Sequence, residues 1–255
     1  MRLLPRTRPF RLLALAVVAG LVVGGVLLWR GAQGSDPVSE REALAAFRAR
    51  PVGAAPPGGP TPGVYTYRST GSERGGVGPF AVSRRLPRTA RLVVTAAPGG
   101  WQAELSYSRQ HIEGATYVIA EDGVRVASRR TDVTFAGFGR DDRRSVDPPS
   151  LYMPAGPKVG DAWKERYRTG DINVVDDSRV VRAEHLRVGA RSVAALVVKT
   201  HSVTDGPHPG TRDETLWWAP SLGVPVRSDV HMDIGGVFAF KATSSISLTD
   251  TRPRR

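Results

Sequence analysis

The sequence predicts an all-β ectodomain, a curved antiparallel sheet rolled into a half-barrel or barrel, preceded by a single transmembrane helix. Three observations lead there. From Val64 onward apolar residues recur with period two, rich in β-branched and aromatic side chains and broken at short intervals by Gly, Pro and Asp turns. No run of helical period competes with that pattern after Arg50. Ahead of it, Leu12 to Trp29 (LLALAVVAGLVVGGVLLW) carries no charge and is flanked by Arg11 and Arg30.

The uncharged run comes first in the chain and sets the location. Eighteen residues at helical rise extend about 27 Å, close to the roughly 30 Å hydrocarbon core of a bilayer. Arg2, Arg6, Arg8 and Arg11 crowd its N-terminal side, so residues 1–11 read as a cytoplasmic basic tail, 12–29 as the anchor, and everything after as extracytoplasmic. The other reading is a signal peptide cleaved near Gly31-Ala32-Gln33-Gly34; both deliver the rest of the chain to the cell envelope. A lipoprotein is excluded, because the chain has no cysteine to acylate. The same absence removes disulfides, thiol catalysis and thiolate metal sites.

Residues 30–63 read as a short helix and a linker. Asp36-Pro37 opens the helix, Ser39 to Glu42 has capping-box spacing, and Glu40 to Arg50 carries Leu44 and Phe47 three apart, enough to dock loosely or to serve as a stalk. Pro51 ends it, and PVGAAPPGGPTPG (51–63) is a Pro/Gly linker.

Residues 64–250 form the β-domain, with 251–255 a basic tail. Trp101 to Tyr107 is the clearest strand: Trp101, Ala103, Leu105 and Tyr107 share one face, Gln102, Glu104 and Ser106 the other. Further strands are expected at Tyr65–Ser69, Arg91–Ala96, Thr116–Ala120, Val124–Ser128, Thr131–Phe135, Trp163–Thr169, Ser178–Val188, Ser192–Val203, Thr211–Trp218, Pro225–Asp233 and Phe238–Leu248. A flat sheet of that many strands would leave a face unburied, so it must curl. Gly137 to Gly160 interrupts the alternation and reads as a mobile loop or lid.

The net charge of +12 does not point to nucleic acid. Five of the positive charges belong to the anchor, Arg supplies 32 of 36 basic residues, and the arginines are scattered among Asp and Glu instead of being concentrated on one element. The partners this architecture implies are the membrane and either a lipid or another envelope protein.

From Pro157 to Arg227 the order PKVGDAWKERYRTG, AEHLRVGARSVAALVVKTHSV, ETLWWAPSLGVPVR resembles bacterial envelope proteins of uncharacterised function, the DUF3108-type domains, and more distantly the lipoprotein-carrier fold. The matching positions are Gly160, Asp161 and Trp163, then Val188, Gly189 and Val197, then Trp217, Trp218, Pro220 and Gly223. The resemblance implies a curved sheet around a hydrophobic interior and no catalytic residues. The opening VYTYRST (64–70) also looks like that of actinobacterial membrane-anchored envelope proteins.

Signatures of chemistry are mostly missing: no G-x-S-x-G, S-x-x-K, H-E-x-x-H, P-loop or EF-hand pattern occurs. The histidines, His111, His185, His201, His208 and His231, are dispersed. Asp229, His231 and Asp233 share a strand face, a spacing able to hold a divalent cation or to orient a base, with His201 as a further ligand; alternation with Val224, Val226 and Val230 explains the same row as a solvent-facing one. The expected function is therefore a non-enzymatic, membrane-tethered protein without a cofactor, binding a hydrophobic or amphiphilic ligand through interior aromatics such as Trp163, Trp217 and Phe240. An exported hydrolase or metal-dependent enzyme centred on His231, and a purely structural scaffold, are the alternatives.

Overall fold

The computed structural model describes residues 35–50, 57–135 and 138–255; the expected anchor at 12–29 and the first half of the linker lie outside them. Among the described residues no helix is long and apolar enough to cross a membrane.

The capping-box spacing produces its helix. In α1 (Glu40–Arg48) the Ser39 hydroxyl accepts the amide of Glu42, and the Glu42 carboxylate accepts the amide of Ser39, so two of the unpaired amides at the helix start are satisfied reciprocally. Ala43 and Phe47 are buried against Val64 and Val93 on the outer face of the sheet. Glu42 pairs with Arg109 at 2.7 Å and Arg50 with Glu104 at 2.8 Å. The helix is thus laid against the sheet and is not a free stalk.

The sheet strands are β1 (Gly63–Gly76), β2 (Val82–Arg85), β3 (Thr89–Ala97), β4 (Gly100–Ser108), β5 (His111–Ala120), β6 (Gly123–Phe135), β7 (Phe138–Pro154), β8 (Ala162–Thr169), β9 (Ile172–Val188), β10 (Arg191–Asp205), β11 (Gly210–Ala219), β12 (Val224–Ile234) and β13 (Ala239–Leu248). Each strand from β3 to β13 pairs antiparallel with the next, and β13 returns to β1 through ten register pairs, Tyr67↔Leu248 to Gly76↔Ala239. β1 pairs along its other edge first with β3 and then with the short β2, so twelve strands close the ring and β2 continues the β3 position. Closure leaves no long free edge. Gly71 makes the approach of β1 to β13 possible: its φ is +137°, and a Cβ there would overlap the Thr243 carbonyl. The C-terminal residues lie beside β1, where Arg254 and Val64 exchange backbone hydrogen bonds of 2.8 and 2.9 Å.

Two strands differ from the sequence expectation for the same physical reason. The 137–160 segment, expected as a loop or lid, is mostly β7, paired with β6 from Gly123↔Pro154 to Phe135↔Phe138 through two register shifts. The segments expected at 124–128 and 131–135 are one strand, β6, running through Arg129 and Arg130. In both, the face turned inward carries charge, so no apolar alternation announces the strand.

The ring is not uniformly joined. β7 and β8 share only two register pairs, Val146↔Thr169 and Asp147↔Arg168. Side chains clasp the rest of that seam: the Trp163 indole donates to the Leu151 carbonyl at 3.2 Å, and the Glu165 carboxylate accepts the Leu151 amide at 3.0 Å.

Inside, aliphatic and aromatic residues collect towards both ends. Tyr65, Tyr67, Leu92, Val94, Trp101, Ile246 and Leu248 pack where β1 begins, and Val133, Phe135, Phe240 and Ala242 where it ends. Between them lies a belt of charge.

Candidate functional site

The belt is built by strand alternation. Glu73 on β1, His111 and Glu113 on β5, Arg129 on β6, and Arg212 and Glu214 on β11 occupy positions whose side chains face the lumen, and the short β2 adds Arg84. All but Arg129 form a continuous chain. The Arg84 guanidinium holds one Glu73 oxygen at 2.5 Å and also donates to the carbonyls of Thr134 and Gln110. His111 meets the other Glu73 oxygen through Nδ1 at 2.6 Å and Glu113 through Nε2 at 3.3 Å. Arg212 joins Glu113 at 3.4 Å to Glu214 at 3.3 Å, and Ser228 donates to Glu214 at 2.7 Å.

Burial opposes a charge on His111, but the carboxylates of Glu113 and Glu73 on its two nitrogens outweigh that and push its pKa up to about 9. Glu113 responds in kind: burial works against its ionisation, Arg212 and His111 overcome it, and it stays ionised far below the usual carboxylate range. With the imidazole charged at neutral pH, three cations and three carboxylates alternate along the chain. That alternation makes so much buried charge tolerable.

Around the belt the lumen is hollow. A cavity of about 280 Å³ opens between β5–β7 and β8–β13, and a second of about 140 Å³ lies towards the end where β1 begins. They share seven wall residues, Arg129, Arg212, Glu113 and Glu214 among them, so a charged partition divides two adjoining chambers. The smaller chamber is aromatic. Trp101 stacks on Tyr117 at 5.1 Å, Tyr117 meets Tyr152 edge-on at 5.1 Å, and Tyr152 meets Trp218 edge-on at 5.8 Å, a file of rings crossing the lumen from β4 to β11.

No family model matches this chain, and no curated protein does. The DUF3108-type resemblance therefore has no family-level support. Among solved structures, the crystal structure of the hypothetical lipoprotein YmcC from Escherichia coli K12 is similar over 82% of this chain and 97% of that one, at 12% identity and a TM-score of 0.32.

Of the aromatics expected to line an interior, Phe240 does so, in edge contact with His111 at 5.6 Å. Trp163 and Trp217 do not line either chamber. Trp163 is occupied at the β7–β8 seam, and Trp217, opposite in facing to its neighbour Trp218, donates to Glu184 and lies under Arg227, whose guanidinium carbon is 4.5 Å from the ring centre. Trp218 is the member of that pair in the smaller chamber.

The row Asp229, His231 and Asp233 is on the outer face, since Met232 and Ile234 line the larger chamber. Each of its members has another partner: Asp229 holds Arg227 and Ser245, His231 lies 3.2 Å from Thr243, and Asp233 pairs with Lys241 at 2.7 Å. His201 is on the same face but is bound to Asp213 at 2.7 Å. Among the described residues no group of three or more His, Cys, Asp or Glu side chains is placed to hold a metal ion.

Sequence reasoning missed Glu73, Arg84, Glu113, Arg129, Arg212 and Glu214. A usable signal was present in His111-x-Glu113 and Arg212-x-Glu214. Opposite charges two apart on a strand share a face, and such pairs on several strands point to an ionic lumen.

Proposed function

We propose that this protein is a membrane-tethered component of the cell envelope whose barrel binds an amphiphilic ligand in its lumen and performs no chemistry on it. The uncharged span 12–29, with arginines crowded on its N-terminal side, supports the location. One observation carries the binding: two adjoining chambers, one aromatic and one mixed, meet at a charged partition inside a closed ring. The larger approaches the lower end of the roughly 300–1,000 Å³ typical of small-ligand sites.

Extraction of the purified full chain, with native mass spectrometry of the same sample, tests this reading. A copurifying amphiphile is expected, and Leu216→Trp, which fills the wall common to both chambers, should expel it. A folded protein that neither carries nor takes up any amphiphile would end the proposal.

A further inference from the structure

The charged partition specifies the ligand's head group more closely than the cavity does. Arg84, Arg144 and Arg212 each have a carboxylate within ion-pair distance, at 2.5, 2.9 and 3.4 Å for the Glu73, Asp171 and Glu113 pairings. Arg129, on the wall common to both chambers, has none among the described residues, and its buried Nε lacks a hydrogen-bond partner there. Asp176 lines the same larger chamber, and no ion pair joins it to Arg129. Tyr167 stands between them, donating to Asp176 Oδ2 at 3.0 Å and presenting its ring to the Arg129 guanidinium at 5.8 Å. Asp176 Oδ1 is also buried without a partner.

Arg129 and Asp176, oppositely charged and in no ion pair among the described residues, thus line one chamber, each with one buried atom unpaired. Leaving either so is costly in a low-dielectric interior. A neutral polyol would add hydrogen bonds but no counter-charge to either side chain; a fatty acid would favour Arg129 and repel Asp176.

Resting on the amphiphile reading above, we propose that the ligand is a single-chain lipid with a zwitterionic head, its acidic group towards the Arg129 guanidinium, its primary ammonium towards the Asp176 carboxylate, and its chain among Trp101, Tyr117 and Trp218. A lyso-aminophospholipid has this chemistry.

The test uses the full chain in phosphatidylcholine nanodiscs and four probes with the same diazirine-bearing acyl chain: lyso-phosphatidylethanolamine, lyso-phosphatidylcholine, the free fatty acid and the monoacylglycerol. Crosslinking is read by intact mass and mapped by peptide. Lyso-phosphatidylethanolamine should label the chambers best, Arg129→Gln should weaken it by roughly tenfold or more, the loss expected for a charge-assisted hydrogen bond, and Arg129→Lys should restore part of it. Asp176→Asn should abolish the preference for the primary over the quaternary ammonium. Equal labelling by the monoacylglycerol, with Arg129→Gln inert in a protein of unchanged melting temperature, would overturn the head-group assignment and leave the amphiphile reading standing. Absence of labelling in the chambers by all four probes would overturn both.

Discussion

Raising the pH should unlatch the buried ionic chain at His111. His111 is 3% exposed and the pKa of its imidazole is pushed up to about 9, against about 6.5 in an unfolded chain. A basic group whose pKa is raised by folding contributes its full stability below the unfolded value and loses it as pH climbs through the folded one. The window therefore runs from about pH 6.5 to about pH 9. That rise corresponds to about 3 kcal/mol, and it is a property of the Glu73–His111–Glu113 group, counted once. In a domain of this size that is a fall in melting temperature of roughly 6–12 °C. The groups that face the ring are Glu73, Glu113, Tyr107 and Phe240, with Arg84 and Arg212 one step beyond. Burial raises the Tyr107 phenol, so it does not titrate in this window. The assay is thermal unfolding from pH 6 to pH 10, with His111→Gln in parallel. The variant should be less stable at pH 6 and nearly level across the window. A wild-type melting temperature that does not move, or a fall that persists undiminished in the variant, would refute the assignment of this charge to His111.

Three other outcomes follow from named contacts. Glu73→Gln leaves the buried Arg84 guanidinium and His111 without their shared carboxylate and should cost about 3–5 kcal/mol, read as a lower urea midpoint at unchanged slope; a shift below about 1 kcal/mol would contradict it. Phe47→Ala should release α1 from Val64 and Val93 at a cost of about 3 kcal/mol, with amides 40–48 losing exchange protection while those of β10 and β11 keep theirs. Trp163→Phe removes the indole donor to Leu151 and should speed amide exchange in β8 by roughly fivefold, the worth of about 1 kcal/mol; unchanged β8 exchange would remove Trp163 from the seam's clasp.

Much of the barrel was legible because most strands have an apolar inner face. Trp101 to Tyr107 alternates as written, and Trp101, Ala103, Leu105 and Tyr107 all line the smaller chamber. Legibility failed where the lumen is ionic. In β7 both Asp142 and Arg144 line the larger chamber, so the run FGRDDRRSVDPP has charge on its inner face and reads as loop. In β6 Arg129 points inward in the same way, which split one strand into two. The candidate site was hidden by the same circumstance: its residues are ordinary surface types, turned inward only because the ring closes. Trp163 and Trp217 drew attention as large aromatics at positions that carry the envelope-protein resemblance. Their indole N–H groups found partners at the seam and beside Glu184, because an amphipathic ring need not face a cavity to be buried.

The poorly laddered joint between β7 and β8 makes the cylinder anisotropic. Ten register pairs fasten β1 to β13, yet two fasten β7 to β8, so the least work of parting falls at one longitude. Spreading there would unroll the wall along its length, leave the β1–β13 closure intact, and expose Asp142, Arg144 and Tyr167 to whatever stands alongside. A long, flexible guest would then be received broadside through a slit, without being threaded end-on past the packed aromatic and aliphatic plugs.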